Sequence, residues 1–255
     1  MTYCVGILVR DGLVMIADTR TNAGVDNIST YRKLHTIEED NDRLVFAASA
    51  GNLSVTQLAL SMLKEGLEPL EEGGARRFTT GASTMFAVAQ LFSEAVRIAS
   101  EQLSEELEAR SIPASVSFLL GGRLASGPLI LYYVYDAGNF IECRPDTPFL
   151  QIGESKYGKP ILDRALNFET PLEEAVKVAL ISFDSTLRSN LAVGRPLDMI
   201  VIARDRVHAV VKRRIGTDDR YFNDLSARWS MLLTEARATI PDPPFMADFV
   251  AINGK

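Results

Sequence analysis

Apolar and polar positions alternate along this chain in two rhythms. Tyr3 to Val9 and Leu13 to Asp18 are short β-rich runs on either side of Arg10-Asp11-Gly12, and Asp-Gly between apolar runs marks a hairpin. A polar stretch from Thr19 to Thr30 follows. Lys33 to Ile37 and Arg43 to Ala48, around the charged turn Glu38 to Asp42, read as a second hairpin. The period then changes. Asn52 stands where a helix cap belongs, and Val55, Leu58, Ala59, Met62 and Leu63 fall on one face. A longer helix follows Ser83, with Met85, Val88, Ala89, Phe92, Ala95, Val96, Ala99, Leu103 and Leu107 at helical spacing.

After Pro113 strands return: Ser115 to Leu120, Leu129 to Tyr135, and Phe140 to Cys143 beyond the Gly138-Asn139 turn. Thr170-Pro171-Leu172-Glu173 reads as a cap, a proline at the first helical position and a capping box. Leu172, Val176, Ala179, Phe183 and Leu187 form the stripe of that third helix. Strands over Leu197 to Ala203 and Val207 to Val211 precede a last helix over Asp219 to Ala238, with Phe222, Leu225, Trp229 and Leu232 inward. The order predicts an α+β fold, a four-layer αββα sandwich of two antiparallel sheets flanked by helices. One domain over 1–255 is expected. Its tail at about 240–255 carries Phe245, Met246, Phe249, Val250 and Ile252, and is apolar enough to dock on the body or on a neighbour.

Composition narrows the function. Of 255 residues, 33 are acidic and 27 basic, so the net charge of −6 argues against nucleic acid as partner. The longest apolar runs are too short to span a bilayer, and no signal-peptide core stands at the start, so no membrane partner is expected. Two cysteines, Cys4 and Cys143, make no disulfide framework and fit a cytoplasmic setting. Two histidines, His35 and His208, stand far apart and read as structural, which disfavours a His-based triad. Nucleophile elbows, phosphate loops and zinc motifs are missing, and no metal or cofactor is expected.

One nucleophile needs no histidine. Thr2 follows Met1, and removal of that methionine would leave a hydroxyl and a free α-amine on one residue. Such an amine has a pKa of roughly 7.7–8.0 and can serve as the base for its own hydroxyl. A hairpin would fold Asp18 back beside it. Lys33, at the start of the next strand pair, could hold and activate the hydroxyl.

These residues resemble the opening of a proteasome-type β-subunit, an N-terminal nucleophile hydrolase. Thr2, Asp11-Gly12, Ala17-Asp18-Thr19-Arg20, Lys33 and the small-residue run Ala47 to Gly51 keep the family's order and spacing. Within that group the chain is similar to the bacterial ancestral β-subunit, or Anbu. The segments Met1 to Gly6, Asp18 to Asn27, Gly153 to Pro160 and Asp184 to Asn190 carry this likeness.

The resemblance implies that Thr2 is the nucleophile, supported by Asp18 and Lys33, with the Ala48 N–H directed at the oxyanion. Asn22 would lie where the main chain pairs with an extended substrate, and Thr21, Phe46 and Ala50 would line the pocket. Asp184 would support the terminal amine, together with a serine that could be Ser185 or Ser189. The family's Gly-Ser-Gly serine has Glu154 at its gapless position and Ser155 one residue later. The implied activity is a threonine endopeptidase acting on peptides or unfolded protein, in a homo-oligomer built as a ring or an open helical assembly. An amidase or acyl-transferase on the same nucleophile and a non-catalytic scaffold subunit are the alternatives. No ATPase-docking motif can be read.

Overall fold

The computed structural model describes residues 1–22, 28–125, 127–206 and 208–246, apart from the side chains of Asn22 and Ile28. Ala23 to Asn27, Val207 and the tail residues Phe249, Val250 and Ile252 lie outside the described residues. The chain forms two compact units, Met1–Thr217 and Asp218–Lys255.

In the first unit the strands are β1 (Tyr3–Val9), β2 (Gly12–Asp18), β3 (Arg20–Asn22), β4 (Ile28–Thr30), β5 (Leu34–Glu39) and β6 (Arg43–Gly51). Helices α1 (Leu53–Glu65) and α2 (Met85–Glu108) follow, then β7 (Val116–Leu124), β8 (Ile130–Tyr135), β9 (Asn139–Glu142) and β10 (Phe149–Gly153). Helices α3 (Lys159–Ala165) and α4 (Leu172–Ser189) lead into β11 (Leu197–Ala203) and β12 (Val211–Ile215). One antiparallel sheet has the order β10-β1-β2-β11-β12 and the other β5-β6-β7-β8-β9, with β3 and β4 as a separate short hairpin.

Two cores explain the layers. Cys4, Leu13, Met15 and Ala17 of one sheet meet Leu34, Phe46, Ala48 and Leu131 of the other in the inner core. Val45, Ala47, Phe118 and Val134, from the opposite face of the second sheet, pack against Val55, Val88, Phe92 and Val96 of α1 and α2. The outer face of the first sheet receives α4, where the Tyr3 and Phe183 ring centroids lie 4.5 Å apart. Both β1 and β2 are buried on both faces, which is why each reads as an unbroken apolar run. The predicted αββα sandwich is the observed one.

Local signals were uneven. Asn52 caps α1 as expected, its side chain accepting from Ser54 N at 2.9 Å and Val55 N at 3.2 Å. Thr170 is not a cap: its hydroxyl accepts from Asn167 N at 3.0 Å in the preceding turn, and Pro171 takes the N-cap position. Of the expected α4 stripe, Ala179 and Phe183 are buried and Leu172, Val176 and Leu187 half-buried, while Ala175, Val178, Ser182 and Thr186 are buried beside them. Its buried hydroxyls return to the helix, Ser182 to Ala179 O at 2.7 Å and Thr186 to Ser182 O at 2.9 Å, so burying them costs little. The last strand begins at Val211 and continues through Lys212-Arg213-Arg214, charges that suit an exposed sheet edge and hide the strand from a hydrophobic reading.

In the second unit Asp219 caps α5 (Arg220–Thr239), accepting from Phe222 N at 2.9 Å. Phe222 is buried, Leu225 and Trp229 are half-buried, and Leu232 is exposed, so the expected inward stripe is incomplete. Phe245 is also exposed.

Candidate active site

The β1–β2 register sets Cys4 opposite Ala17, which brings the next residue, Asp18, beside the backbone of Tyr3. Asp18 Oδ1 accepts the Tyr3 N–H at 3.0 Å and the Lys33 ammonium at 2.7 Å. Its Oδ2 accepts the Arg20 N–H at 3.2 Å and the Gly194 N–H at 3.3 Å. Burial pushes the Asp18 carboxyl above the usual carboxylate range, opposed by the Lys33 charge and hydrogen bond and by the Tyr3 and Gly194 N–H groups. Four donors converge on this fully buried group, and that arrangement calls for the carboxylate at neutral pH.

Lys33 is itself buried and donates a second bond to Arg20 O at 2.7 Å. Two of its three N–H donors are thereby committed. The Arg20 side chain reaches across to Leu191 O at 2.7 Å and lies against Gly194, where any Cβ would overlap its guanidinium. Thr19 Oγ holds Pro196 O at 2.6 Å. The loop after α4 is thus tied down from β2 and β3, and its Gly194 N–H is aimed at Asp18.

Residue 2 is held from the other side. Its carbonyl accepts the Glu154 N–H at 2.6 Å, and a Cβ on Gly153 would overlap that same oxygen. Gly153 has φ +79°, a conformation glycine adopts without strain. Thr2, Thr21, Tyr31, Lys33, Ser49 and Ala50 then share the wall of one pocket of about 120 Å³.

No family model matches the chain. Anbu from Yersinia bercovieri has the same fold with a TM-score of 0.85 and is 41% identical, over 94% of this chain and 98% of that one. The structure described as a helical assembly of the Anbu complex from Pseudomonas aeruginosa is 43% identical, covering 95% of this chain and 98% of that chain with a TM-score of 0.83. A proteasome subunit beta from Haloquadratum walsbyi is 26% identical over 207 residues, 81% of this chain and 75% of that protein. The chain belongs to the Anbu family. It is a proteasome-type N-terminal nucleophile hydrolase by fold and by relationship.

Against the Anbu pattern, the remaining expected residues fall into separate places. Phe46 does not line the pocket: it is fully buried in the inner core, with Lys212 Nζ 5.5 Å from its ring centroid. Ala48 is also fully buried, opposite Leu34 and Leu119 in the sheet, and the pocket wall comes from the next three residues, Ser49 to Gly51. The main chain of Asn22 lies in β3 opposite Ile28. Asp184 is buried and pairs with Arg188 at 3.2 Å, one turn along α4.

Ser155 and Ser189 are exposed, and Ser185 is half-buried. Nearby, the buried Glu154 carboxylate accepts the half-buried Asn190 amide at 2.8 Å. Against the upward push of burial, the Lys156 N–H, the Asn190 amide, the Ser155 N–H and the Lys156 charge hold Glu154 below the usual carboxylate range. Tyr31, Ser49, Glu154, Asn190 and Gly194 were not singled out as site supports from the sequence. Gly194 lies 176 residues from Asp18, and no spacing rule joins them. Glu154 carried a signal, since it occupies the place where the family has a serine. Among the described residues, no group of three His, Cys, Asp or Glu is placed to hold a metal. No helix among them is long and apolar enough to cross a membrane.

Proposed function

We propose that this chain is a threonine-type peptidase whose nucleophile is Thr2 after removal of Met1, working in a homo-oligomer. The observation that carries the reading is the junction at Asp18 Oδ1, which joins the N–H of residue 3 to Lys33, while Lys33 and Thr2 share one pocket wall. Thr2 Oγ attacks the carbonyl carbon of an extended peptide as its proton passes to the freed α-amine. Lys33 stabilises the developing alkoxide, and Asp18 fixes the ammonium in place. Backbone N–H groups at the Ala50–Gly51 end of β6 receive the oxyanion, since the Ser49 N–H is already donated to Lys33 O at 2.9 Å, a contribution of about 3–4 kcal/mol. The amine then protonates the leaving nitrogen, and water releases the acyl ester. Asp184 and the serines at 155 and 189 act in this reading through the support of the amine. Thr21 and Ala50 face the substrate, and the Asn22 main chain pairs with it.

The reading has a direct test. Intact mass should show a chain lighter by one methionine, and a β-lactone probe should add one acyl group to Thr2, located by peptide mapping. Thr2→Ala should abolish both labelling and peptide turnover. A retained Met1 with no turnover would leave a non-catalytic scaffold, and turnover equal in Thr2→Ala would overturn Thr2 as the nucleophile.

A further inference from the structure

A second cavity, of about 290 Å³, shares Ala50 and Gly51 with the Thr2 pocket and reaches Gly153, the residue behind the Thr2 carbonyl. Its far wall comes from β8. Tyr133 and Tyr135, two apart on one strand, point to the same side, and their ring centroids are 5.7 Å apart in an edge-to-face contact. Asp136, exposed at the start of the next turn, places a carboxylate on the rim, and Ser115 and Ser117 add hydroxyls. No lysine or arginine is among the described residues that line it. Two aromatic rings, hydroxyl acceptors and one carboxylate form a receptor for a cation on a flexible stem. The chain's net charge of −6 favours the approach of such a group.

We propose that this cavity holds a lysine or arginine side chain of the substrate, flanking the scissile bond, so that the enzyme selects basic peptides. The proposal rests on the peptidase reading for its setting. The cation stands over the tyrosine rings and pairs with Asp136, while the peptide backbone runs past Ala50 and Gly51 to Thr2.

The test uses the assembled, processed protein and coumarin-releasing tetrapeptides in which Lys, Arg, Leu or Glu is moved through the four positions. At one position Lys or Arg should raise kcat/KM at least 10-fold over Glu. Asp136→Asn should reduce that ratio about 5–10-fold, and Asp136→Lys should invert it. An unchanged rank order in Asp136→Lys, or a preference for Leu or Glu at every position, overturns the proposal while leaving the peptidase reading intact. The same peptides, labelled and bound to Thr2→Ala protein, give an anisotropy readout that needs no turnover. Basic peptides should bind more tightly there and lose that advantage in the Asp136→Lys background. Binding that ignores residue 136 overturns the proposal, whereas lack of turnover with Asp136-dependent binding overturns only the peptidase reading.

Discussion

Lys33 Nζ lies 2.7 Å from Asp18 Oδ1, with 7% and 0% of the two side chains exposed. A buried pair of this kind is costly to form and costlier to break, because one partner left alone is an uncompensated charge. Asp18 also satisfies three backbone N–H groups, so its loss strands more than the lysine.

Asp18→Ala and Lys33→Met should therefore each lower stability by about 3–5 kcal/mol. The double variant should lose clearly less than the sum of the two. Urea unfolding at one fixed protein concentration measures this. Additive losses would show that the pair is not coupled, and Lys33 would then have no anchored position from which to serve Thr2.

Gly153 offers a sharper probe of residue 2. An added methyl group would overlap the Thr2 carbonyl and would also require φ +79° of an alanine. Gly153→Ala should cost about 2–4 kcal/mol, of which roughly 1–2 kcal/mol is backbone strain. It should also suppress β-lactone labelling of Thr2 by moving its backbone and hydroxyl. Gly81→Ala is the control, since nothing lies within 4 Å of a Cβ built there, and it should be close to neutral. Equal melting temperatures for the two variants would mean that Thr2 is not clamped by β10.

How much of this was legible beforehand differs by element. The β1–β2 hairpin was plain because both strands are buried on both faces, so nothing polar interrupts them. Thr2, Asp18 and Lys33, the residues on which the proposed chemistry rests, all sit within the first 33 residues, where the β1–β2 hairpin turns Asp18 back beside residue 3. The clamp on residue 2 was invisible, because β10 and the loop after α4 arrive from more than 130 residues away through sheet pairing. Helix α3 has no counterpart among the expected elements, and β12 begins only at Val211, where the expected strand ends, because the polarity of both suits surface positions rather than a buried stripe. The family resemblance implies a pocket position for Phe46, yet its place in β6 turns the ring into the inner core. The order of local segments is thus readable, but the convergence of distant ones depends on tertiary register.

Glu154 ties β10 to the end of α4. Its carboxylate accepts the Ser155 N–H at 2.9 Å and the Lys156 N–H at 2.8 Å, as well as the Asn190 amide. Because its folded pKa is depressed, its contribution is present above the unfolded value of about 4.3 and is lost as pH falls through the folded value. Glu154→Ala should cost about 1–3 kcal/mol at pH 7 and flatten the stability profile below pH 4.5. Asn190→Ala should reproduce part of both effects. A pH profile for Glu154→Ala that parallels the wild type would remove Glu154 as the source of that acid limb.

His35 carries the opposite kind of group on the wall behind Ser49. Its Nε2 lies 3.2 Å from Ser49 Oγ. Burial, reinforced by the Arg32 charge and opposed by Asp198, pulls its pKa down to about 4. The unfolded chain, with an ordinary histidine near 6.5, binds the proton more readily between those values. Stability should be full above about pH 6.5, fall as pH drops from 6.5 to 4, and change no further from this group below that. With a discount for the ring's partial exposure, the loss is about 2 kcal/mol. His35→Asn keeps a polar partner for Ser49 and removes the titration. Urea midpoints at pH 7.5 and 4.5 should therefore separate more in the wild type than in His35→Asn, by that amount. An equal separation in both would place the acid sensitivity elsewhere.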